Sequence, residues 1–126
     1  MKEITVSVIT FENKILLLKR SAKKRYDHGK WEFVSGFVRG GELEDQARRQ
    51  VIHETGLNPT LVKSGKSYKV KDEYGVWFVH PFLFSSKLEK VKLRPEDHQE
   101  YRWINSKDLA RFSCVKDLGK NLDRLE

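Results

Sequence analysis

The run "ILLLK" at residues 15–19 constrains the architecture more than any other stretch of the sequence. Successive side chains of a strand point to opposite faces, so a continuous apolar run this short reads as a strand buried on both sides. Something must pack above it and below it. The preceding "EITVSVITF" alternates instead, with Ile4, Val6 and Val8 on one face, as a half-buried strand does. Asn13 and Lys14 make the expected turn between the two. "KWEFV" follows as a third short strand, with Trp31 and Phe33 on one side and Glu32 on the other.

Helical character begins near Leu43 and ends at "TGLNP", where Gly56 suits a C-terminal cap and Pro59 bars continuation. Two strands are expected at about residues 61–71 and 76–85, joined by the turn "DEYG". Pro81, inside the second, points to a sheet edge or a bulge. "EYRWI" makes a last short strand, and Asn105 or Ser106 can cap a short helix over "SKDLARF". Val115, Leu118, Leu122 and Leu125 recur at helical spacing, which predicts a C-terminal amphipathic helix docked on the sheet. These elements predict a single α+β domain over residues 1–126, a mixed sheet between helices.

Charge narrows the partners. The formal net charge is +7, with cations gathered at "KRSAKKR" (residues 19–25), Lys30, Arg39, Arg48 and Arg49. Such a surface is either simply solvated or a field that attracts phosphates, and a nucleotide and RNA would suit it equally. No apolar run approaches the ~18 residues of a membrane span. The start "MKEITVSVIT" lacks the pattern of a secretory signal, and the single Cys114 allows no internal disulfide. A cytoplasmic location without membrane contact is the expectation.

Chemistry concentrates between residues 35 and 57. The loop "SGFVRGGE" carries three glycines, which permit tight turns and close approach to a bound phosphate. In the helix that follows, Gln50, His53 and Glu54 share a face at i, i+3 and i+4, beside an apolar strip of Ala47 and Val51. Loop and helix together resemble the Nudix box: Gly, five residues, Glu, seven residues, Arg-Glu, an aliphatic, any residue, Glu-Glu, any residue, Gly, an aliphatic. Gly36, Glu42, Arg49, Val51, Glu54, Gly56 and Leu57 match it. The flanking "HGKWEF" and "PEDHQEYRWI" are also similar to this family, so the resemblance spans most of the chain.

The resemblance implies a loop-helix-loop that holds Mg²⁺ or Mn²⁺ against a nucleoside diphosphate derivative, with water attacking a phosphorus of the bridge. It assigns Glu54, His53, Glu42 and Gln50 to the metal, and Gly36, Arg39 and Glu32 to the substrate. Glu54 and Glu96 become the catalytic acids, Glu96 as a ligand or as the base for water, and Arg49 braces the box by pairing with acids. The sequence also departs from the pattern. Six residues, not seven, separate Glu42 from Arg49, and the gap fits best near Leu43, where a loop absorbs it without turning Ala47 and Val51 away from the core. Gln50 and His53 replace two glutamates. A nitrogen at position 53 suits Mn²⁺ or Zn²⁺ better than Mg²⁺.

Two readings of function follow. One is a metal-dependent hydrolase of the diphosphate bond in a nucleotide derivative, weakened by the lost acids. The other is a module of the same fold that binds a nucleotide or RNA without cleaving it, with Arg39 and nearby lysines as the counter-charge. A homodimer is compatible with either reading.

Overall fold

The computed structural model describes residues 2–125. Two strands open the chain, β1 (Lys2–Phe11) and β2 (Lys14–Arg20), joined through Glu12 and Asn13. Both joining residues have positive φ, 47° and 66°, as a tight two-residue hairpin turn requires. The turn therefore sits one residue earlier than the sequence suggests.

The apolar run behaves as expected. Ile15 and Leu17 join Val6 and Val8 in a cluster on one face of the sheet, together with Leu118 and Leu125. Leu16 and Leu18 point the other way, into a cluster with Ile9, Ala47 and Val51. The first face is covered by α2 (Gly119–Leu125) and the second by α1 (Leu43–Thr55). This is an α+β fold with a mixed sheet between helices.

β1 is the hub of the sheet. It pairs antiparallel with β2 and with β4 (Val34–Phe37), and parallel with β7 (Gly75–Ser85). β2 in turn pairs with β3 (Trp31–Glu32) on one stretch and with β8 (His98–Ile104) along its length. The expected third strand is thus two short ones, β3 on β2 and β4 on β1, with the chain changing partners at Phe33.

The strand expected over residues 61–71 is also two, β5 (Thr60–Ser64) and β6 (Tyr68–Asp72), laid end to end along β7. The break lies opposite Pro81, whose carbonyl accepts the Gly65 N–H at 2.8 Å. Pro81 pairs with Val6 of β1 on its other side, so it is not at an edge. A proline cannot donate to a ladder, and here the neighbouring strand is interrupted where that donor is missing.

The C-terminal segments are shorter than the pattern implies. Ser106–Arg111 form a 3-10 helix with Asn105 at its N-cap position but no side-chain cap bond. α2 begins at Gly119, so Val115 packs against the core from outside the helix. No helix among the described residues is long and apolar enough to cross a membrane.

Candidate functional site

The C-terminal end of α1 is held firmly. The Thr55 hydroxyl donates to the Val51 carbonyl (2.6 Å) and accepts the Leu57 N–H (3.1 Å). Gly56, at φ 72°, returns its N–H to the Ile52 carbonyl. α1 runs unbroken from Leu43, and Ala47 and Val51 are fully buried, so the short spacing between Glu42 and Arg49 leaves the apolar strip facing the core. Glu54 is thereby fixed on the inner side of the last turn, 7% exposed.

A chain of charges surrounds it. Gln50 Nε2 donates to Glu54 Oε1 at 3.0 Å. The other oxygen, Oε2, lies 3.3 Å from Nδ1 of His98, and neither of these two buried atoms has a hydrogen-bond partner. On the far side of the imidazole, His98 Nε2 is 2.8 Å from Glu32 Oε2. Arg20 Nη1 donates to Glu32 Oε1 at 3.0 Å and its Nε to the Tyr26 carbonyl at 3.1 Å. Arg20, Glu32, His98, Glu54 and Gln50 thus form one continuous line.

Strand pairing builds this line. β2 lies between β3 and β8, with Leu18 opposite Glu32 and Arg20 opposite His98. The turn ahead of β8 is closed by Asp97 and His98 N–H groups, both donating to the Arg94 carbonyl at 2.9 Å. Lys24 clamps the same turn through Asp97 at 2.6 Å. Burial alone would depress the His98 pKa. The hydrogen bond to Glu32 and the close carboxylate of Glu54 outweigh it and raise the value from 6.5 to about 9.

The residues expected at the site divide among three places. Glu54, Gln50, Gly36 and Glu32 come together: a Cβ at Gly36 would lie 2.7 Å from Gln50 Oε1, so the glycine admits the glutamine side chain. Glu32 is buried at 8% exposure and not a solvent-facing strand residue. His53 and Glu96 are exposed and line a separate open hollow of about 450 Å³ with Lys92 and Arg94; Glu96 pairs with Arg94 at 3.3 Å. Glu42 and Arg39 are exposed around the glycine loop, where the Arg39 N–H donates to Gln46 Oε1. Glu42 stands at the N-cap position of α1 without a side-chain capping bond, about 18 Å along the helix axis from Glu54.

Arg49 does not brace anything. It is exposed and makes no ion pair or hydrogen bond among the described residues. The acids it was expected to pair with lie elsewhere: Glu54 is turned inward to Gln50 and His98, and Glu42 stands at the opposite end of α1. The expected metal set of Glu42, His53, Gln50 and Glu54 does not converge, and among the described residues no three His, Cys, Asp or Glu side chains meet closely enough to hold an ion alone.

His98 and Arg20 are the participants that the sequence reading passes over. Each looks like an ordinary strand residue, and only the pairing of β2 with both β3 and β8 reveals them. A cleft of about 280 Å³ opens on the same side, with Arg20 and Glu32 in its wall and Tyr68, Trp77, Asp72 and Asn121 around it. The Tyr68 hydroxyl donates to Asn121 Oδ1 at 2.7 Å, which joins the sheet to α2 across the cleft.

Matched against known families, the sequence fits the NUDIX domain over residues 1–125. The chain belongs to the Nudix family. Its fold is similar to the crystal structure of MutT protein from Methanosarcina mazei Go1, at TM-score 0.80 and 23% identity over 98% of this chain and 91% of that one. It is also similar to a C. elegans Ap4A hydrolase binary complex (TM-score 0.75, 19% identity, 99% and 95% covered). A third likeness is to a bifunctional NMN adenylyltransferase/ADP ribose pyrophosphatase complexed with AMP and Mn ion from Francisella tularensis (TM-score 0.78, 18% identity, 98% of this chain and 40% of that one). No curated protein matches the sequence. Identities this low speak for the Nudix fold, and the chemistry of this domain has to be argued from its own residues.

Proposed function

We propose that this Nudix domain hydrolyses a phosphoanhydride bond in a nucleotide derivative bound in the cleft between the sheet and α2. The observation that carries the reading is Glu54: the one box glutamate left on the inner face of α1 is buried, and one of its oxygens has no hydrogen-bond partner. Its nearest partner is the His98 imidazole at 3.3 Å, and a buried carboxylate so loosely held is costly. Through His98 it is linked to Glu32 in the cleft wall, and a fold that retains such a carboxylate has a use for it.

The chain's own residues divide the work. The apolar floor of the cleft, with Tyr68 and Trp77 beside it, suits a base. Arg20 faces the cleft wall and offers a fixed cation to phosphate oxygens. Glu54 is the group that would hold a divalent ion. Such an ion supplies neutralisation of the phosphates and a more acidic water. Of the ions expected, Mn²⁺ fits the nitrogen-containing surroundings of Glu54 better than Mg²⁺ does. The nucleotide derivatives named for the C. elegans and Francisella tularensis structures support the substrate class.

Incubation with nucleoside triphosphates, ADP-ribose, NADH and dinucleoside polyphosphates, with Mg²⁺ or Mn²⁺, tests the reading by release of phosphate or nucleotide. Glu54→Gln should lower turnover by about 100-fold or more while nucleotide still binds. The dispersal of Glu42, His53 and Glu96 favours a second reading, a nucleotide-binding module without cleavage. Calorimetry in EDTA separates the two: metal-independent affinity that weakens with salt, and no turnover with any metal, would mark the binding module.

A further inference from the structure

Four aromatic side chains form a chain of contacts along one rim of the cleft. Phe37 of β4 meets Trp77 of β7 with ring centroids 5.9 Å apart. Tyr74, in the turn between β6 and β7, meets Tyr26, in the loop after β2, at 4.9 Å. Asp72 joins the two pairs, since its Oδ1 accepts both the Tyr74 N–H at 2.8 Å and the Trp77 Nε1–H at 3.2 Å. Trp77, Asp72 and Arg20 line the cleft itself, and the Tyr26 carbonyl holds Arg20, so the rings continue from the cleft wall outward.

Phe37, Tyr74 and Tyr26 are 57%, 50% and 46% exposed. Large rings dominate the interior of a domain this small, and a contiguous apolar strip left in water marks a surface for binding. The hydrolase reading uses Trp77 alone of the four.

Charge decides the kind of partner. Lys2 Nζ lies 4.8 Å from the centre of the Trp77 ring, and the Arg25 guanidinium 5.5 Å from that of Tyr26. Neither cation, nor Lys23 in the same loop as Tyr26, makes an ion pair among the described residues. The nearby acids are largely engaged within the rim, Asp72 on the two donors above and Asp27 with Lys30 at 3.6 Å, which leaves Glu73 at the turn. An apolar protein face would bury these cations unpaired, at a cost. An acidic peptide would use the cations and waste the rings. A single nucleic-acid strand uses both, phosphates on the cations and bases on the rings. A duplex keeps its base faces stacked inside, and a mononucleotide would occupy only part of the row.

From this pairing of open rings with unpaired cations we infer that the rim binds single-stranded nucleic acid, bases against Tyr26, Tyr74 and Phe37, phosphates on Lys2, Lys23 and Arg25. The inference goes beyond the hydrolase reading and does not need it: a strand can lie on the rim whether or not the cleft cleaves anything.

The test is fluorescence anisotropy of the full chain in EDTA with three labelled probes: an oligo-dT octamer, an abasic octamer of the same backbone, and the oligo-dT octamer paired with oligo-dA. Oligo-dT should bind about 10-fold or more tightly than either of the others, because only it offers free bases. Tyr26→Leu, Tyr74→Leu and Phe37→Leu should each weaken it about 5-fold or more, since leucine is apolar but has no ring, while Tyr26→Phe and Tyr74→Phe should bind like the parent. Arg25→Ala should weaken oligo-dT and the abasic octamer alike and reduce the salt slope by about 0.7, the share of one phosphate contact. Equal affinity for the oligo-dT and abasic octamers would reduce the rim to general charge attraction and overturn the inference. Leucine variants that bind oligo-dT like the parent, or a parent that does not bind it, overturn it as well. A dimer seen by sedimentation and dissolved by the same leucine variants, with no preference among the three probes, would give the rings to a second copy of the chain instead.

Discussion

One helix, α1, presents two very different sets of polar residues. Its outer surface carries Arg49 and His53, with Glu42 at the start, all exposed and unbound or loosely placed. Its inner surface carries Gln50 and Glu54, locked to Gly36, His98 and, through His98, to Glu32. Both sets belong to the same sequence motif. Water screens the outer set and the fold's low dielectric magnifies the inner one, so equal-looking charges have unequal consequences. Matching a motif assigns positions; burial decides which positions matter.

The largest contrast should appear in stability. Replacing Glu32 leaves the Arg20 guanidinium and the His98 imidazole without their shared partner in a buried site. Breaking a buried pair by removing one member typically costs about 3–5 kcal/mol. Glu32→Ala is expected near the lower end, about 3 kcal/mol in urea unfolding, because Arg20 can reach solvent. Glu96→Ala removes an exposed pair with Arg94 and should stay within about 0.5 kcal/mol. Equal losses for the two would mean that the inner network is no more than another surface pairing.

A pH titration of stability sharpens the same comparison. The His98 pKa is about 9 in the folded protein against 6.5 for the free side chain. A raised folded value stabilises fully below the unfolded pKa, and that stabilisation is lost as pH rises through the folded one. In EDTA, unfolding free energy should therefore fall between pH 6.5 and 9, by on the order of 2 kcal/mol. His98→Gln should flatten the slope. A flat profile in the parent protein would show that the imidazole does not carry a charge between the two glutamates.

How much of this was legible beforehand follows the same division. The two-faced burial of Ile15 to Leu18, the helix from Leu43 to Gly56 and the sheet between helices are all visible in apolar periodicity, because periodicity is a local property. The split of "KWEFV" into β3 and β4 is not local, since it depends on which strand each piece pairs with. The effect of Pro81 is partly visible: its missing donor is evident from sequence, but the response came from the neighbouring chain at Gly65. For the site, Glu54, Gln50, Gly36 and Glu32 are found by motif and do come together. His98 and Arg20 are brought in by the flanking position of β3 and β8 on β2, and no spacing within the chain encodes that.

Gly36 gives a smaller but pointed test. Its backbone is not in the left-handed region, so alanine is sterically acceptable for the strand itself. The added Cβ would meet the Gln50 side chain, at 2.7 Å from Oε1 and 2.8 Å from Cδ. The end of a glutamine can swing away, but then its donation to Glu54 Oε1 is lost. Gly36→Ala should cost about 1 kcal/mol, the usual worth of one hydrogen bond. Adding Gln50→Ala should remove the clash, so that the double variant loses less than the sum of the singles. Additive losses would show that the glycine does not exist to admit Gln50.

The smallest expected effects test the outer surface directly. Arg49 makes no ion pair or hydrogen bond among the described residues, and His53 opens only on the shallow hollow beside Lys92 and Arg94. Exposed substitutions of this kind normally change stability by less than about 0.5 kcal/mol. Arg49→Ala and His53→Ala should both fall in that range, and His53→Ala should leave Mn²⁺-dependent turnover within about twofold, because a ligand's loss would cost far more. Should His53→Ala instead erase metal dependence while Glu54→Gln spares it, the inner and outer faces of α1 would have to exchange roles. The ion would then sit where the motif alone first suggests, on the solvent side of the helix, and the buried line from Arg20 to Glu54 would be a device for holding the sheet to the helix.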